Sequence, residues 1–195
     1  MSKKSQFISF ILRHKPETIG LNLDKHGWAS LDDFIQKAKS ADMIYTKEEI
    51  MDIVNDNEKK RFAISEDGLC IRARQGHSAT LDVDVQLSKK IPPVILYHGT
   101  SSDFLPSIMK QGLIAKTRKH VHLSSDIETA YIVGKRHAKN AQVVILEIDT
   151  KRMVKEKLNF YLSENNVWLT ENVLPEFINI SSHEYNPRHT KKAKM

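Results

Sequence analysis

The feature that most constrains this chain is a turn. Glu66-Asp67-Gly68 stands between two runs of alternating apolar residues, RFAIS at 61–65 and LCIRAR at 69–74. Asp-Gly in such a setting predicts a β-hairpin, because its positive-φ geometry matches the twist of the flanking strands. Upstream the pattern is helical. Phe7, Phe10 and Ile11 recur at helical spacing between Ser2 and His14, and Pro16 lies just beyond, where a helix commonly stops. Ser30 with Asp33, and Thr46 with Glu49, each set a hydroxyl three residues ahead of a carboxylate. That pattern satisfies orphan N–H groups at a helix start, and it predicts two further helices ending near Lys39 and Asn55.

Three helices followed by a hairpin suggest a winged-helix lobe, a module that usually binds nucleic acid. Residues 78–93 then lose helical periodicity and carry Lys89-Lys90 and Pro92-Pro93, which places a domain boundary there. Beyond it the character changes. Residues 94–97, 121–123, 143–148, 167–169 and 177–180 read as strands. A helix around 104–110 is closed by Gly112, and another is opened by Ser125 with Glu128 as its capping pair and runs toward His137. The expected fold class is α+β, with a first lobe at 1–90, a second at 91–182 and a basic, flexible tail at 183–195 of at most weak electrostatic role.

Composition sets limits on function. Of 195 residues, 40% are hydrophobic, enough to build cores for two small domains. A formal charge of +6 and a pI near 9.3 bias encounter toward polyanions such as RNA. Cys70 is the single cysteine, so an intrachain disulfide is impossible and a cysteine-based zinc site nearly so. The first residues hold an apolar run of about six, short of the roughly 7–15 of a signal-peptide core. No stretch approaches a membrane span. A soluble, cytoplasmic monomer is expected.

Several residues have the chemistry of a site. Arg13-His14 closes the first helix, immediately before Lys15; cations there also suit the helix dipole. Lys59-Lys60-Arg61 leads into the hairpin, and Arg72 and Arg74 share one face of its return strand. That face is either a solvated surface or an oxyanion site, since an arginine fork matches phosphate oxygens and stays charged. Gln75-Gly76-His77-Ser78 supplies amide, imidazole and hydroxyl groups beside a glycine, as a ligand contact or simply a turn. His98-Gly99-Thr100 follows the strand at 94–97, at a strand end where ligand groups often sit. His120 and His122 lie two apart on a strand, but no nearby cysteine or carboxylate completes a metal set, and no metal is expected.

In order along the chain, the segments LRHKPE, KKRF, IRARQGHS, YHGT, RKHVHLS, GKRH and SENNVWLT resemble the signatures of the RNA 2′-phosphotransferases, called KptA in bacteria. The resemblance runs from about Ser5 to Ile180. It implies a winged-helix lobe joined to an ADP-ribosyltransferase-like lobe, with the active site in the cleft between them. The family's catalytic set falls on Arg13, His14, Arg61 and Arg118, each inside its matching motif. Its NAD-binding positions fall on His98, Gly99, Thr100, His122, Ser124, Arg136 and Val167, of which His98, His122 and Val167 match the transferase signature of two histidines and a hydrophobic residue. Lys59, Gln75, His77 and Ser78 match the RNA end of the site. Two departures stand out. Ala138 replaces a common Gly after Arg-His, which bears on the fit of NAD near Arg136. Asn165-Asn166 replaces Asn-Gly, a conservative change because Asn tolerates left-handed backbone.

The chemistry implied by the resemblance consumes NAD and needs no metal. The RNA 2′-phosphate displaces nicotinamide from the ribose anomeric carbon, linking RNA to ADP-ribose through the phosphate. The vicinal ribose hydroxyl then attacks that phosphate, releasing 2′-hydroxyl RNA and ADP-ribose 1″,2″-cyclic phosphate. Arg13, Arg61 and Arg118 would bind the phosphate and its transition-state charge, with His14 a phosphate ligand or proton donor. Two rival readings are a mono-ADP-ribosyltransferase acting on terminal phosphates or another acceptor, and a winged-helix regulator that would not bind NAD.

Overall fold

The computed structural model describes residues 2–56, 60–138 and 141–182. Lys59 and the tail at 183–195 lie outside them. The chain divides into two compact units. The first is Met1–Ser88 with Lys116–Lys119 and Ser163–Asn166; the second is Lys89–Ala115 with His120–Leu162 and Val167–Met195. The fold is thus a mixture of α and β elements in which short later segments belong to the first unit.

In the first unit, helix α1 (Lys3–Arg13) begins where the Ser2 hydroxyl accepts from the Ser5 N–H at 3.2 Å. It ends where Lys15 N–H turns back to the Phe10 carbonyl and Pro16 opens a 3-10 turn, Pro16–Ile19. Its face of Ile8, Ile11 and Leu12 is fully buried at i, i+3, i+4 spacing. Helix α2 (Leu31–Ala38) is capped by Ser30, and α3 (Lys47–Asn55) by the complete Thr46–Glu49 box, with bonds of 3.2 and 3.1 Å. Strands β1 (Trp28–Ser30), β2 (Phe62–Ile64) and β3 (Cys70–Ala73) form an antiparallel sheet in the order β1-β3-β2. Gly68, at φ +72°, makes the hairpin turn. Leu31, Phe34, Ile50, Phe62 and Ile71 complete the core, each worth roughly 1.5–3 kcal/mol of burial.

The second unit holds a sheet of three antiparallel strands in which β8 (Val143–Asp149) lies between β5 (Ile95–Ser101) and β12 (Ile178–Ile180). Strands β7 (Val121–Leu123), β9 (Tyr161–Leu162) and β10 (Trp168–Thr170) pair in the order β9-β10-β7, while β6 (Leu113–Ile114) pairs with β11 (Asn172–Val173). A two-residue strand, β4 (Ser88–Lys89), falls where the first unit gives way to the second. Helices α4 (Leu105–Gln111), α5 (Ile127–Ala138) and α6 (Thr150–Lys155) accompany them, around a core that includes Leu96, Leu123, Leu146, Ile148 and Phe177.

Two expectations are corrected here. His98-Gly99-Thr100 lies within β5, not after it, because β5 pairs with β8 without a break from Ile95 to Ser101. Gly99 does not end the strand; it makes room for α5. A Cβ at Gly99 would lie 1.8 Å from the Ala130 carbonyl oxygen, and one at Gly134 would lie 2.8 Å from the Gly99 carbonyl carbon. Helix α5 starts two residues beyond Ser125, and it is Asp126 Oδ1 that accepts from Thr129 N–H at 2.7 Å. Ser125 Oγ accepts instead from Trp168 Nε1 at 3.2 Å. Among the described residues no helix is long and apolar enough to cross a membrane.

Candidate functional site

In the first unit one loop gathers the basic residues. Ser78 donates its N–H to the Arg13 carbonyl at 2.9 Å, and its Oγ lies 2.9 Å from His14 Nδ1. Ser78 also forms an antiparallel bridge with Arg118, reinforced by Ala79 N–H to the Thr117 carbonyl at 3.0 Å. Lys119 Nζ donates to the Val83 carbonyl at 2.5 Å, which seats the 116–119 segment on this loop. Gly76, at φ +86°, makes the turn that lays residues 75–78 against the Arg13 guanidinium. Arg61 stands at the mouth of the hairpin, its carbonyl accepting from Arg74 N–H at 2.9 Å.

The electrostatics of this cluster are unbalanced. Arg13 Nε and Nη2 are shut off from solvent and, among the described residues, have no hydrogen-bond partner. Burial, then the positive charges of Arg118 and Arg61, holds the Arg13 guanidinium down at about 10. His14 is pushed below its ordinary value by burial, then by Arg118 and Arg13, so the ring is neutral. His77 is 4% exposed, and burial followed by the Arg13 charge lowers it to about 4. A buried cation with two unmet donors and other positive charge nearby is costly, and an anion offsets that cost.

Arg72 and Arg74 do share a face, but they are not part of this cluster's unpaired charge. Their guanidinium groups both grip the carboxylate of Glu164, one on each oxygen. Arg72 also stacks on Trp28, 4.5 Å from the ring centroid. The oxyanion in their fork is therefore a side chain of the protein itself. Sequence reasoning missed Glu164; its signal was the one acidic residue in the SENNVWLT segment, 90 positions from Arg74. Gln75 is buried beside the loop.

The second unit presents a different set. His98 Nδ1 lies 3.0 Å from the His122 carbonyl, which can only accept, so Nδ1 carries the proton and Nε2 keeps a bare lone pair. Burial lowers His98 against the opposing effect of that bond, and the ring is neutral. Tyr97 and Ser124 exchange both backbone hydrogen bonds at 2.8 Å, which draws His98, His122 and Ser124 together. Val167 precedes Trp168, whose ladder partner is Leu123, so Val167 and Ser124 stand at the same end of that pair. Gly99 and Thr100 are buried in β5. Asn166 adopts φ +59°, the left-handed conformation that Asn in place of Gly has to supply. Arg136 is exposed in the last turn of α5, whose buried face is Ala130, Gly134 and Ala138. The ring of His120 packs on Tyr161 at 5.6 Å, and among the described residues no group of three or more His, Cys, Asp or Glu is arranged to hold a metal.

Comparison with known proteins decides the family. Residues 1–172 match the model of the RNA 2′-phosphotransferase, Tpt1 / KptA family. The chain belongs to this family. A probable RNA 2′-phosphotransferase of Fusobacterium nucleatum is 51% identical over 176 residues, covering 90% of this chain and 96% of that protein. One of Pectobacterium atrosepticum is 50% identical over 182 residues, 91% of this chain and 99% of the relative. The RNA 2′-phosphotransferase of Escherichia coli K12 is 48% identical over 178 residues, 91% and 95% of the two chains. These matches span both units, so both the arginine cluster and the histidine pair lie in the matched region.

Proposed function

We propose that this protein removes an internal 2′-phosphate from RNA by NAD-dependent transfer, giving 2′-hydroxyl RNA, nicotinamide and ADP-ribose 1″,2″-cyclic phosphate. The observation that carries the reading is Arg13: a guanidinium whose Nε and Nη2 are cut off from solvent and, among the described residues, have no hydrogen-bond partner, with Arg118 and Arg61 adding charge of the same sign. A phosphate monoester dianion is the complement of that arrangement, and the family name specifies where on RNA the phosphate sits. We take the first unit as a winged-helix lobe that holds the RNA 2′-phosphate and the second as an ADP-ribosyltransferase-like lobe that holds NAD.

The donor set of the second unit fits a dinucleotide. His98 Nε2 is a fixed acceptor for a ribose hydroxyl because its Nδ1 is committed to the His122 carbonyl. His98, Gly99, Thr100, His122, Ser124 and Val167 would hold NAD; Arg136 joins them on its motif alone. When bound, NAD would supply the anomeric carbon and the neighbouring ribose hydroxyl that the transfer needs. The protein's part is positioning and charge. A phosphate monoester with a second pKa of about 6 is already dianionic at neutral pH, so Arg13, Arg61 and Arg118 need to orient it, not deprotonate it. The same arginines offset the charge that builds on the phosphate when it is itself attacked, a task that metal ions perform elsewhere. His14 binds the phosphate and can return a proton to the leaving 2′-oxygen.

The test is an oligonucleotide bearing one internal 2′-phosphate. It should lose that phosphate only when NAD is added, with nicotinamide released in equal amount, and excess chelator should leave the rate unchanged. Release of orthophosphate without NAD would mean a phosphatase and would overturn the reading.

A further inference from the structure

Ser78 makes contacts of two kinds. Its N–H bonds the Arg13 carbonyl and its backbone bridges Arg118, contacts that a residue of almost any type would make. Its hydroxyl, 2.9 Å from His14 Nδ1, is the contact that depends on serine. We propose that Ser78 is a positioning residue for the phosphate site: its hydroxyl holds the His14 ring through Nδ1 and leaves Nε2 as the nitrogen offered to the substrate phosphate. The proposal rests on the phosphate-binding reading above and replaces the expectation that Ser78 touches RNA.

The physical case is one of charge and ring orientation. An imidazole bonded at one nitrogen has its rotation set by that bond, and a serine hydroxyl serves either ring state because it can donate to a bare Nδ1 or accept from Nδ1–H. In the free protein the ring is neutral, because burial and the charges of Arg118 and Arg13 oppose protonation. A bound phosphate dianion reverses the sign of the local field and favours the imidazolium. Both ring nitrogens then donate, Nε2–H to the phosphate and Nδ1–H to Ser78 Oγ. Without the hydroxyl, Nδ1–H loses its acceptor at the moment the ring becomes charged. The other groups facing His14 do not confuse its titration: Arg13 and Arg118 stay charged through the neutral range, and His77, held at about 4, stays neutral.

The experiment follows the ring 15N signals of His14, assigned by their disappearance in His14→Gln, across pH with and without inorganic phosphate. In the wild-type protein and in Ser78→Thr, phosphate should raise the His14 pKa by about one unit or more. In Ser78→Ala that response should shrink. In turnover of the 2′-phosphorylated oligonucleotide, Ser78→Ala should lower kcat about tenfold, as expected for one hydrogen bond to a charged group, leave KM for NAD unchanged, and be rescued by Ser78→Thr. Ser78→Cys, similar in size but a poor acceptor, should resemble the alanine variant and serves in its place if that variant does not fold. Wild-type His14 signals and kcat in Ser78→Ala, or a threonine variant as impaired as the alanine one, would overturn the proposal. If the wild-type protein shows no turnover while its His14 signals still respond to phosphate and to Ser78, the transferase reading fails and the positioning role stands.

Discussion

The two units keep their chemistry ready by opposite means. In the first, Arg118 and Arg61 lie close enough to Arg13 for their charges to hold its guanidinium down, and Arg13 Nε and Nη2 are shut off from solvent with no hydrogen-bond partner among the described residues. In the second, the two signature histidines are joined by a bond from a neutral ring to a backbone carbonyl, and the strand that carries His98 is pressed against a helix so closely that no side chain fits at Gly99 or Gly134. One unit holds like charges close together; the other is tightly packed. On the function proposed above, the difference teaches where binding strength should come from: charge neutralisation for a phosphate, and fixed shape with directed hydrogen bonds for a dinucleotide.

The contrast can be broken most severely at the arginines. Arg61→Ala and Arg118→Ala should each slow turnover about 100-fold to 1000-fold, roughly 3 to 4 kcal/mol, because each removes a charge-stabilising donor. The loss should fall on attack at the phosphate more than on loss of nicotinamide, so RNA joined to ADP-ribose through the 2′-phosphate should accumulate in a single turnover resolved on a gel. Nicotinamide release falling in proportion to overall turnover, with no such species, would make these arginines substrate-binding groups alone. The second unit should respond as packing does. Gly99→Ala would drive a methyl group into the Ala130 carbonyl and should cost about 3 kcal/mol or more of stability, read as a lower midpoint in denaturant. A midpoint like wild type would show that α5 can move off the strand.

A smaller effect concerns His77. Its folded value of about 4 lies below the ordinary 6.5, so between those values the unfolded chain binds the proton and the folded one does not. Stability is therefore full above about pH 6.5 and is lost as the pH falls toward 4, by at most about 3 kcal/mol. His77→Phe should flatten that slope in denaturant midpoints measured from pH 7 to 4; an unchanged slope would assign it to other groups. Smallest of all is the salt effect. A site built on one phosphate should lose RNA affinity only modestly with salt, with a slope of log K against log salt of roughly −1 to −3. A slope near −8 would reveal a broad RNA-binding face.

Much of this was legible in the sequence, and what escaped did so for definable reasons. The end of α1 is written in Pro16, the start of α3 in the Thr46–Glu49 box, and the hairpin in Asp67-Gly68, because each is a local rule about backbone groups. Strand β1 at Trp28–Ser30 and helix α6 at Thr150–Lys155 are too short to show a period, and β5 looked finished at Tyr97 because glycine reads as a strand breaker. Arg13, His14, Arg61 and Arg118 were found by motif, yet nothing in their spacing reveals that Arg13 Nε and Nη2 have no hydrogen-bond partner among the described residues while Arg72 and Arg74 share Glu164. Pairing across 90 residues has no local signature.

The central claim is that Arg13 is a buried charge awaiting a phosphate, and thermal melting of the wild-type protein and Arg13→Met, each with and without inorganic phosphate, tests it directly. Phosphate at about 100 times its Kd should stabilise the wild-type protein by about 2.7 kcal/mol. Arg13→Met should melt higher than wild type without ligand, since a buried charge with two unmet donors has been replaced by an apolar chain, and phosphate should barely move it. An Arg13→Met protein that melts lower than wild type and still gains the full phosphate shift would contradict the account.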